Sequence, residues 1–196
     1  MGEDLIEFER NWTAEVLKVA PMIAPARSYV WPMRIAGEEE ALARGALNVM
    51  VRPRVGGAYL VTAALGFKDP TMPSGVCGCP NAEEICVVAG GYGYVAKASS
   101  PEEVTLLGMK PVVAVVPAVA DGLLLFVGFH SVLAWGVDGL SWESGRLSWE
   151  GVRVTEIEGG VLRGFGWDLM KDLEVGFEVD LKTGEHRGGA YGKGSR

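Results

Sequence analysis

The chain has few of the side chains on which acid–base, covalent and metal chemistry most often depends. Of its 196 residues, two are histidines and three are cysteines. Two histidines leave little room for a mechanism that uses imidazole as a base or a ligand. The three cysteines, Cys77, Cys79 and Cys86, are an odd number packed into one short stretch. Because this is a poor disulfide framework, we expect free thiols in a reducing cytoplasm.

Positive charge and long apolar runs are also scarce. Eighteen Lys and Arg residues against 25 Asp and Glu residues give a net charge of -7, which is the opposite of the basic surface that nucleic-acid binding needs. The most apolar stretches, residues 112–120 and 123–129, are separated by Asp121 and Gly122, and neither approaches the ~20 residues of a membrane-spanning helix. The acidic N-terminus is unlike a secretory signal. We therefore expect a soluble cytoplasmic protein that binds neither nucleic acid nor membrane.

Glycine, in contrast, is abundant, with 28 residues, and 48% of the chain is hydrophobic, so the composition indicates a globular protein with many tight turns. From residue 46 onward, short apolar or alternating runs are separated by Gly, Pro, Asp and Asn, which is typical of antiparallel strands. The pairs Gly90-Gly91 and Gly159-Gly160 predict two-residue hairpin turns. The candidate strands are Leu47–Arg52, Ala58–Phe67, Ile85–Ala89, Tyr92–Ala98, Val112–Val116, Gly122–Phe129, Ser131–Trp135, Leu140–Glu143, Arg153–Glu158, Val161–Trp167, Val175–Leu181 and Glu185–Gly188.

The first 44 residues have a different pattern. Leu5, Phe8, Trp12, Val16 and Val19 recur near helical spacing, which predicts a helix around Asp4–Val19. Residues 28–35 look extended, and residues 38–44 predict about two helical turns before Gly45. The predicted organisation is an N-terminal arm of residues 1–44 with a short helix, a single all-β domain of residues 45–192 and a flexible tail of residues 193–196.

The candidate strands fall into about three four-stranded units, at residues 45–98, 112–146 and 151–190. Two turns in them, Asp138-Gly139-Leu140-Ser141-Trp142 and Asp180-Leu181-Lys182-Thr183-Gly184, resemble turns of repeat β-propellers with pyrroloquinoline-quinone-type blades. The overall pattern resembles bacterial β-repeat proteins, and this resemblance implies a fold but no activity. A propeller usually has about four to eight blades. A partial or distorted propeller, an oligomeric propeller, a β-sandwich and a β-barrel therefore all remain open.

Several residues are candidates for a functional site. Two carboxylates that face one cleft can act as acid and base on a glycosidic bond, and tryptophan rings can stack on sugars. The alternative is that the tryptophans fill sheet faces and the carboxylates lie in solvated turns. A C-x-C pair with a third thiol can hold a metal, although a fourth ligand is missing nearby, and a Cys79–Cys86 disulfide is a further alternative. The candidates are Asp168, Asp172, Asp180 and His130 for catalysis, Trp135, Trp142 and Trp167 for ligand binding, and Cys77, Cys79 and Cys86 for metal.

The function predicted from these observations is a non-enzymatic binding or assembly module. It would use an aromatic and glycine-rich face to hold a protein or a small ligand, and we expect a homo-oligomer, such as a dimer, that covers exposed sheet edges. No cofactor is expected, because the glycine-rich stretches lack the strand-loop-helix context of a phosphate-binding loop. The alternative is a carbohydrate-directed hydrolase that uses paired carboxylates near Trp167 and raises the pKa of one of them.

Overall fold

The described residues of the protein form an all-β fold with four four-stranded sheets. The computed structural model describes residues 7–23, 25–32 and 42–190. The chain divides into two compact units, Met1–Val112 and Val113–Arg196, and each unit contains two of the sheets. The sequence predicted about three four-stranded units, and the number is four because the strands up to Leu106 form two sheets.

The first two sheets belong to the first unit. Sheet 1 has the order β1-β3-β4-β2, in which β2 is parallel to β4 and the other neighbours are antiparallel. Sheet 2 has the order β5-β6-β7-β8 and is antiparallel throughout. The bounds are β1 Trp12–Leu17, β2 Ser28–Trp31, β3 Ala46–Pro53, β4 Tyr59–Ala64, β5 Gly75–Gly78, β6 Glu84–Ala89, β7 Tyr92–Lys97 and β8 Ser100–Leu106.

The second unit contains two antiparallel sheets in which consecutive strands are neighbours. Sheet 3 has the order β12-β11-β10-β9 and sheet 4 the order β13-β14-β15-β16. All twelve strands proposed from the sequence overlap observed strands. The bounds are β9 Ala114–Ala118, β10 Leu123–Val127, β11 Val132–Gly136, β12 Gly139–Glu143, β13 Val152–Glu158, β14 Val161–Asp168, β15 Leu173–Asp180 and β16 His186–Gly188.

The predicted N-terminal helix is wrong. Residues 12–17 form β1, which pairs with β3 from Trp12 opposite Pro53 to Leu17 opposite Asn48. Trp12, Ala14 and Val16 also alternate with a period of two, and pairing with β3 satisfies the backbone of this short segment while it buries Trp12. Residues 4–6 of the predicted helix lie outside the described residues.

Little helix occurs elsewhere in the described part of the chain. Leu42 and Ala43 are helical, and Gly45, with φ at 105°, follows them, whereas residues 38–41 of the second predicted helix are outside the described ranges. A single 3-10 turn covers Val119–Asp121. Among the described residues, no helix has both the length and the apolar character needed to cross a membrane.

The two glycine pairs form the predicted hairpin turns. Gly90 and Gly91 have φ values of 53° and 81°, and Gly159 and Gly160 have values of 59° and 75°. They join β6 to β7 and β13 to β14 with two-residue loops. A two-residue hairpin turn of this type needs a positive φ at both central residues, and glycine adopts a positive φ without strain. Both hairpin predictions are therefore confirmed.

Each unit has its own hydrophobic core between its two sheets. In the first unit, the hydroxyl of Tyr94 in β7 donates to the carbonyl oxygen of Ala64 in β4 over 2.9 Å. The hydroxyl of Tyr59 in β4 donates to the carbonyl oxygen of Ala98, which follows β7, over 2.9 Å. The second core joins sheet 3 to sheet 4 and includes Leu125, Val127, Leu162, Phe177 and Val179.

The predicted arm and domain share one sheet. The arm of residues 1–44 contributes β1 and β2 to sheet 1, beside β3 and β4 of the predicted domain 45–192. The predicted tail of residues 193–196 lies beyond the described residues.

Candidate functional site

The turn between β14 and β15 carries exposed apolar side chains, and we call residues 168–173 the hairpin tip. Asp168 and Leu173 form the last pair of the two strands, and the chain reverses between them. Leu169 is 57% exposed, Met170 83% and Leu173 45%. Because the turn starts and ends at a paired position, these three exposed apolar residues all lie within one short turn. Large apolar side chains grouped at a protein surface mark a contact site more often than isolated ones do.

The conformation of the hairpin tip is fixed by Asp168. Its Oδ1 accepts hydrogen bonds from the backbone N–H groups of Met170 at 3.0 Å and Lys171 at 3.3 Å, and its Oδ2 lies 3.0 Å from Nζ of Lys171. These contacts, first of all that with the Lys171 side chain, hold the pKa of the Asp168 carboxyl below its usual value. Asp172 completes the turn with a positive φ of 54°. The tip is therefore preorganised, which reduces the entropy lost when it is buried by a partner.

The outer face of sheet 4 adjoins the tip along β14. Phe165 is 39% exposed on this face, and its cross-strand partner Gly176 leaves a hollow of about 380 Å³ beside it. The guanidinium of Arg153 lies 4.9 Å from the centroid of the Phe165 ring. The face therefore presents an aromatic ring beside glycine.

Charges on the outer face are paired with one another. Arg153 lies 2.7 Å from Glu174, and Arg163 lies 3.0 Å from both Glu156 and Glu178. All of these side chains are well exposed, so each pair contributes little to stability. Two arginines against three glutamates offset most of the negative charge on the middle of a face that belongs to a chain of net charge -7.

The structure places the predicted catalytic carboxylates in two turns. Asp168 pairs with Leu173 at one end of the β14–β15 hairpin, whereas Asp180 pairs with Val161 at the other end, which puts them about 23 Å apart at ~3.3 Å per residue. Paired carboxylates of glycosidases are about 5 to 10 Å apart. Asp172 is exposed and shares the hairpin tip with Asp168.

Asp180 organises its turn much as Asp168 does. Its Oδ1 accepts hydrogen bonds from the backbone N–H groups of Lys182 and Thr183, each at 2.9 Å, and from Oγ1 of Thr183 at 3.1 Å. The bonds from Thr183 lower the pKa of the Asp180 carboxyl. A general acid would instead need a raised pKa, and the pKa shifts of Asp168 and Asp180 both go the other way.

Two other carboxylates flank Trp167. Glu150, Arg153, Trp167 and Glu174 line a hollow of about 340 Å³, and Glu174 is opposite Trp167 in the β14–β15 register. The sequence analysis expected two carboxylates near Trp167 but selected aspartates from the turns. Glu174 could have been found from the register of the β14–β15 hairpin, which places residue 174 directly opposite residue 167.

The other predicted aromatic residues pack inside the second unit. Trp135 is 7% exposed. The indole N–H of Trp142 donates to the carbonyl oxygen of Leu181 over 2.8 Å, and its ring covers Gly184, where an added Cβ would lie 2.8 Å from the ring. The two turns that resemble propeller turns are therefore in direct contact, and Trp142 links sheet 3 to sheet 4.

His130 lies between β10 and β11 and is exposed. Its Nδ1 is 3.3 Å from the carbonyl oxygen of Ser148 and 3.4 Å from Nη2 of Arg146, while its own carbonyl oxygen accepts a hydrogen bond from the N–H of Leu147. These contacts attach the segment after β12 to the β10–β11 turn.

A separate cleft of about 690 Å³ lies beside the β15–β16 connection. It is lined by Glu143, Thr183, Glu185, His186 and Arg187, together with three glycines. The His186 ring packs on Gly145, where an added Cβ would lie 2.6 Å from Cε1, and Oε1 of Glu143 accepts a hydrogen bond from Ser131. This mixture of charges suits a polar ligand, and no local motif in the sequence signals it.

The three cysteines are free, Cys77 being half-buried and Cys79 and Cys86 buried. Cys77 faces Cys86 across β5 and β6, so the pair that the register brings together is not the Cys79–Cys86 pair considered from the sequence. Within the described ranges, no group of three or more Cys, His, Asp or Glu side chains is placed to hold a metal ion.

Comparison with known proteins gives no match. No protein-family profile matches the chain, and no curated protein and no solved structure is significantly similar to it. The geometry described above is therefore the basis for any functional assignment.

Proposed function

We propose that the protein is a non-enzymatic binding and assembly module that forms a homodimer through the hairpin tip and the outer face of sheet 4. The observation that carries this proposal is the hairpin tip, where Leu169 and Met170 are 57% and 83% exposed although the turn itself is held by Asp168. An ordered turn that presents apolar side chains to water is suited to burial against a partner.

A second copy is the partner that this surface fits best. An apolar patch is complementary to itself across a two-fold axis. A highly charged ligand would need a surface of opposite charge, whereas here Arg153 and Arg163 are paired with glutamates of the same face. This pairing also reduces the repulsion between two copies that each carry a net charge of -7.

The expected effect of one side chain on dimerisation follows from its exposure. Complete burial of a leucine side chain contributes about 1.5–3 kcal/mol. The 57% of Leu169 that is exposed corresponds to about 0.9–1.7 kcal/mol for each copy, or about 1.7–3.4 kcal/mol in a symmetric dimer. Loss of this contribution weakens the dimer about 20- to 300-fold, with about 30-fold or more expected for most of this range.

The test is the mass in solution, measured by light scattering across a concentration series. The wild type should be dimeric, and Leu169→Glu should shift the midpoint of dissociation to at least about 30-fold higher concentration. The matched control is Leu140→Glu, because Leu140 is 61% exposed but lies in β12. A monomeric wild type would exclude the dimer, and equal behaviour of the two variants would exclude this surface as its interface.

The way in which the sheets are arranged is also a proposal. We infer that the sheets are propeller-type blades, because three of the four are simple meanders and because Trp142 of sheet 3 packs on the Asp180–Gly184 turn of sheet 4. An experimental structure tests this inference, which fails if the strands form a sandwich or a barrel.

A carbohydrate-directed hydrolase is the second candidate function, favoured by the presence of Glu150 and Glu174 beside Trp167. We expect such an enzyme to release the aryl group from chromogenic glycosides and to lose this activity in Glu174→Gln while its circular dichroism is unchanged. The absence of turnover by the wild type across a panel of glycosides would rule this candidate out.

A further inference from the structure

Cys77 and Cys86 occupy directly opposite positions on two neighbouring antiparallel strands. The β5–β6 register runs from Gly75 opposite Val88 to Gly78 opposite Ile85, with Cys77 opposite Cys86. Opposite residues of an antiparallel pair have Cα atoms about 4.5–5.5 Å apart, which lies within the range of about 4.4–6.8 Å that a disulfide spans. The two thiols are hydrogen-bonded to each other. A disulfide can therefore form here without separation or sliding of the strands.

The two thiols differ in accessibility. Cys77 is half-buried, whereas Cys86 is completely buried. Glu7 and Arg10, which form an ion pair at 2.8 Å, are the charged groups beside Cys77. A reagent that arrives from solvent therefore meets Cys77 first, and Cys86 is placed to attack afterwards.

We propose that Cys77 and Cys86 form a thiol–disulfide exchange site that accepts a low-molecular-weight disulfide as its oxidant. In the first step the Cys77 thiolate attacks one sulfur of the reagent, forms a mixed disulfide and releases one small thiolate. In the second step the Cys86 sulfur attacks Sγ of Cys77, forms the protein disulfide and releases the second small thiolate. The two protein thiol protons end on the two released thiolates, so two protein thiols and one small disulfide yield one protein disulfide and two small thiols.

The pKa shifts of the two cysteines also favour Cys77 as the first thiol to attack the reagent. The hydrogen bond from the Cys86 thiol lowers the pKa of Cys77, because it stabilises the thiolate. That bond and complete burial raise the pKa of Cys86. The thiolate is the attacking form, so the lowered pKa favours attack by Cys77, the accessible member of the pair.

The product would connect an edge strand to its neighbour. β5 has four residues and lies at the edge of sheet 2, and the disulfide would attach it covalently to β6. A disulfide that forms and is reduced again is the kind found in reducing compartments. The site lies on sheet 2 and does not depend on the dimer proposed above.

The test uses the native full-length protein and oxidised glutathione. The number of free thiols, titrated after denaturation, should fall from three to one in the wild type, and mass spectrometry should show the loss of two hydrogen atoms without an adduct. Cys79→Ser, the matched control, should show the same loss and retain no free thiol. Cys86→Ser should stop at one glutathione adduct on Cys77.

Two results would overturn the proposal. One is a wild type that keeps three free thiols or retains a stable glutathione adduct. The other is a Cys77→Ser variant that still loses two thiols, because Cys79 would then be the partner of Cys86. If Cys86→Ser does not fold, Cys79→Ser decides the question, because Cys77 and Cys86 are its only cysteines and a monomer that loses both thiols without an adduct must link these two.

Discussion

The contact between Trp142 and Gly184 makes a quantitative prediction for Gly184→Ala. A Cβ at residue 184 would lie 2.8 Å from Cδ2 and Cε3 of Trp142. The ring is held by its N–H bond to the Leu181 carbonyl oxygen at 2.8 Å, so it cannot withdraw without breaking that bond. Gly184 also has a φ of 74°, which disfavours any residue with a Cβ.

The two costs can be estimated separately. The left-handed backbone conformation costs an alanine about 1–2 kcal/mol, and the forced overlap with a packed ring costs about 1–3 kcal/mol. We therefore expect Gly184→Ala to reduce the free energy of unfolding by about 2–5 kcal/mol, which urea unfolding followed by circular dichroism would measure. Gly151→Ala is the matched control, because Gly151 has a φ of 80° but no atom within 4 Å of an added Cβ, so it should cost about 1–2 kcal/mol.

A double-mutant cycle isolates the contact. In a Trp142→Leu background, the added Cβ of Gly184→Ala should no longer overlap an indole ring. The substitution should then reduce the free energy of unfolding by only about 1–2 kcal/mol. Equal costs of Gly184→Ala in both backgrounds would refute the reasoning, because the indole ring would then not be the obstacle. The same result would remove the observation that supports sheets 3 and 4 as neighbouring blades.

Two further predictions concern other single side chains. Tyr94→Phe should reduce the free energy of unfolding by about 1–2 kcal/mol in urea, because it leaves the buried Ala64 carbonyl oxygen without its hydroxyl donor; an unchanged midpoint would show that this bond contributes nothing. Asp168→Asn should lower the unfolding temperature at neutral pH, since the amide can accept the two backbone bonds but cannot pair with Lys171. The folded pKa of Asp168 is lowered, so its stabilising effect is complete above the ordinary aspartate value of about 3.9 and is lost as the pH falls through the folded pKa. The difference between wild type and variant should therefore shrink below about pH 4, and a difference that grows there would contradict the role given to Asp168.

The parts of the fold that could be predicted are those in which local chemistry decides the structure. Gly159-Gly160 fixes its hairpin because few other residues accept two successive positive φ values. β10 and β11 are buried along their whole length, and their continuous apolar sequences match this burial.

The missed strands have weak local signals. In β8, Pro101, Glu102 and Glu103 interrupt any apolar pattern, but β8 is an edge strand, where proline and exposed acids are tolerated. In β1, the spacing of the apolar residues fits a helix as well as a strand, and only the pairing with β3, more than 30 residues later, decides between them.

The candidate sites depended still more on register. Asp168 and Asp180 are close in sequence, yet the hairpin places them at opposite ends. Cys77 and Cys86 become partners only through β5, a strand that the sequence analysis did not propose. Composition identified the relevant residue types, and strand pairing determined which of them meet.

The arrangement of sheet 1 has a consequence for the order of folding during synthesis. Sheets 2, 3 and 4 are built from consecutive strands, so each can form from one continuous stretch of chain at a small entropic cost of loop closure. In sheet 1, β1 and β2 pair with the two sides of the β3–β4 hairpin, which the ribosome makes after them. The first two strands to be synthesised are thus the last of their sheet to find partners. Trp12 and Trp31 also donate hydrogen bonds to the carbonyl oxygens of Glu84 and Pro101 in sheet 2, so both remain exposed to water until these residues have emerged as well, and such exposed apolar surface makes a nascent chain prone to aggregate.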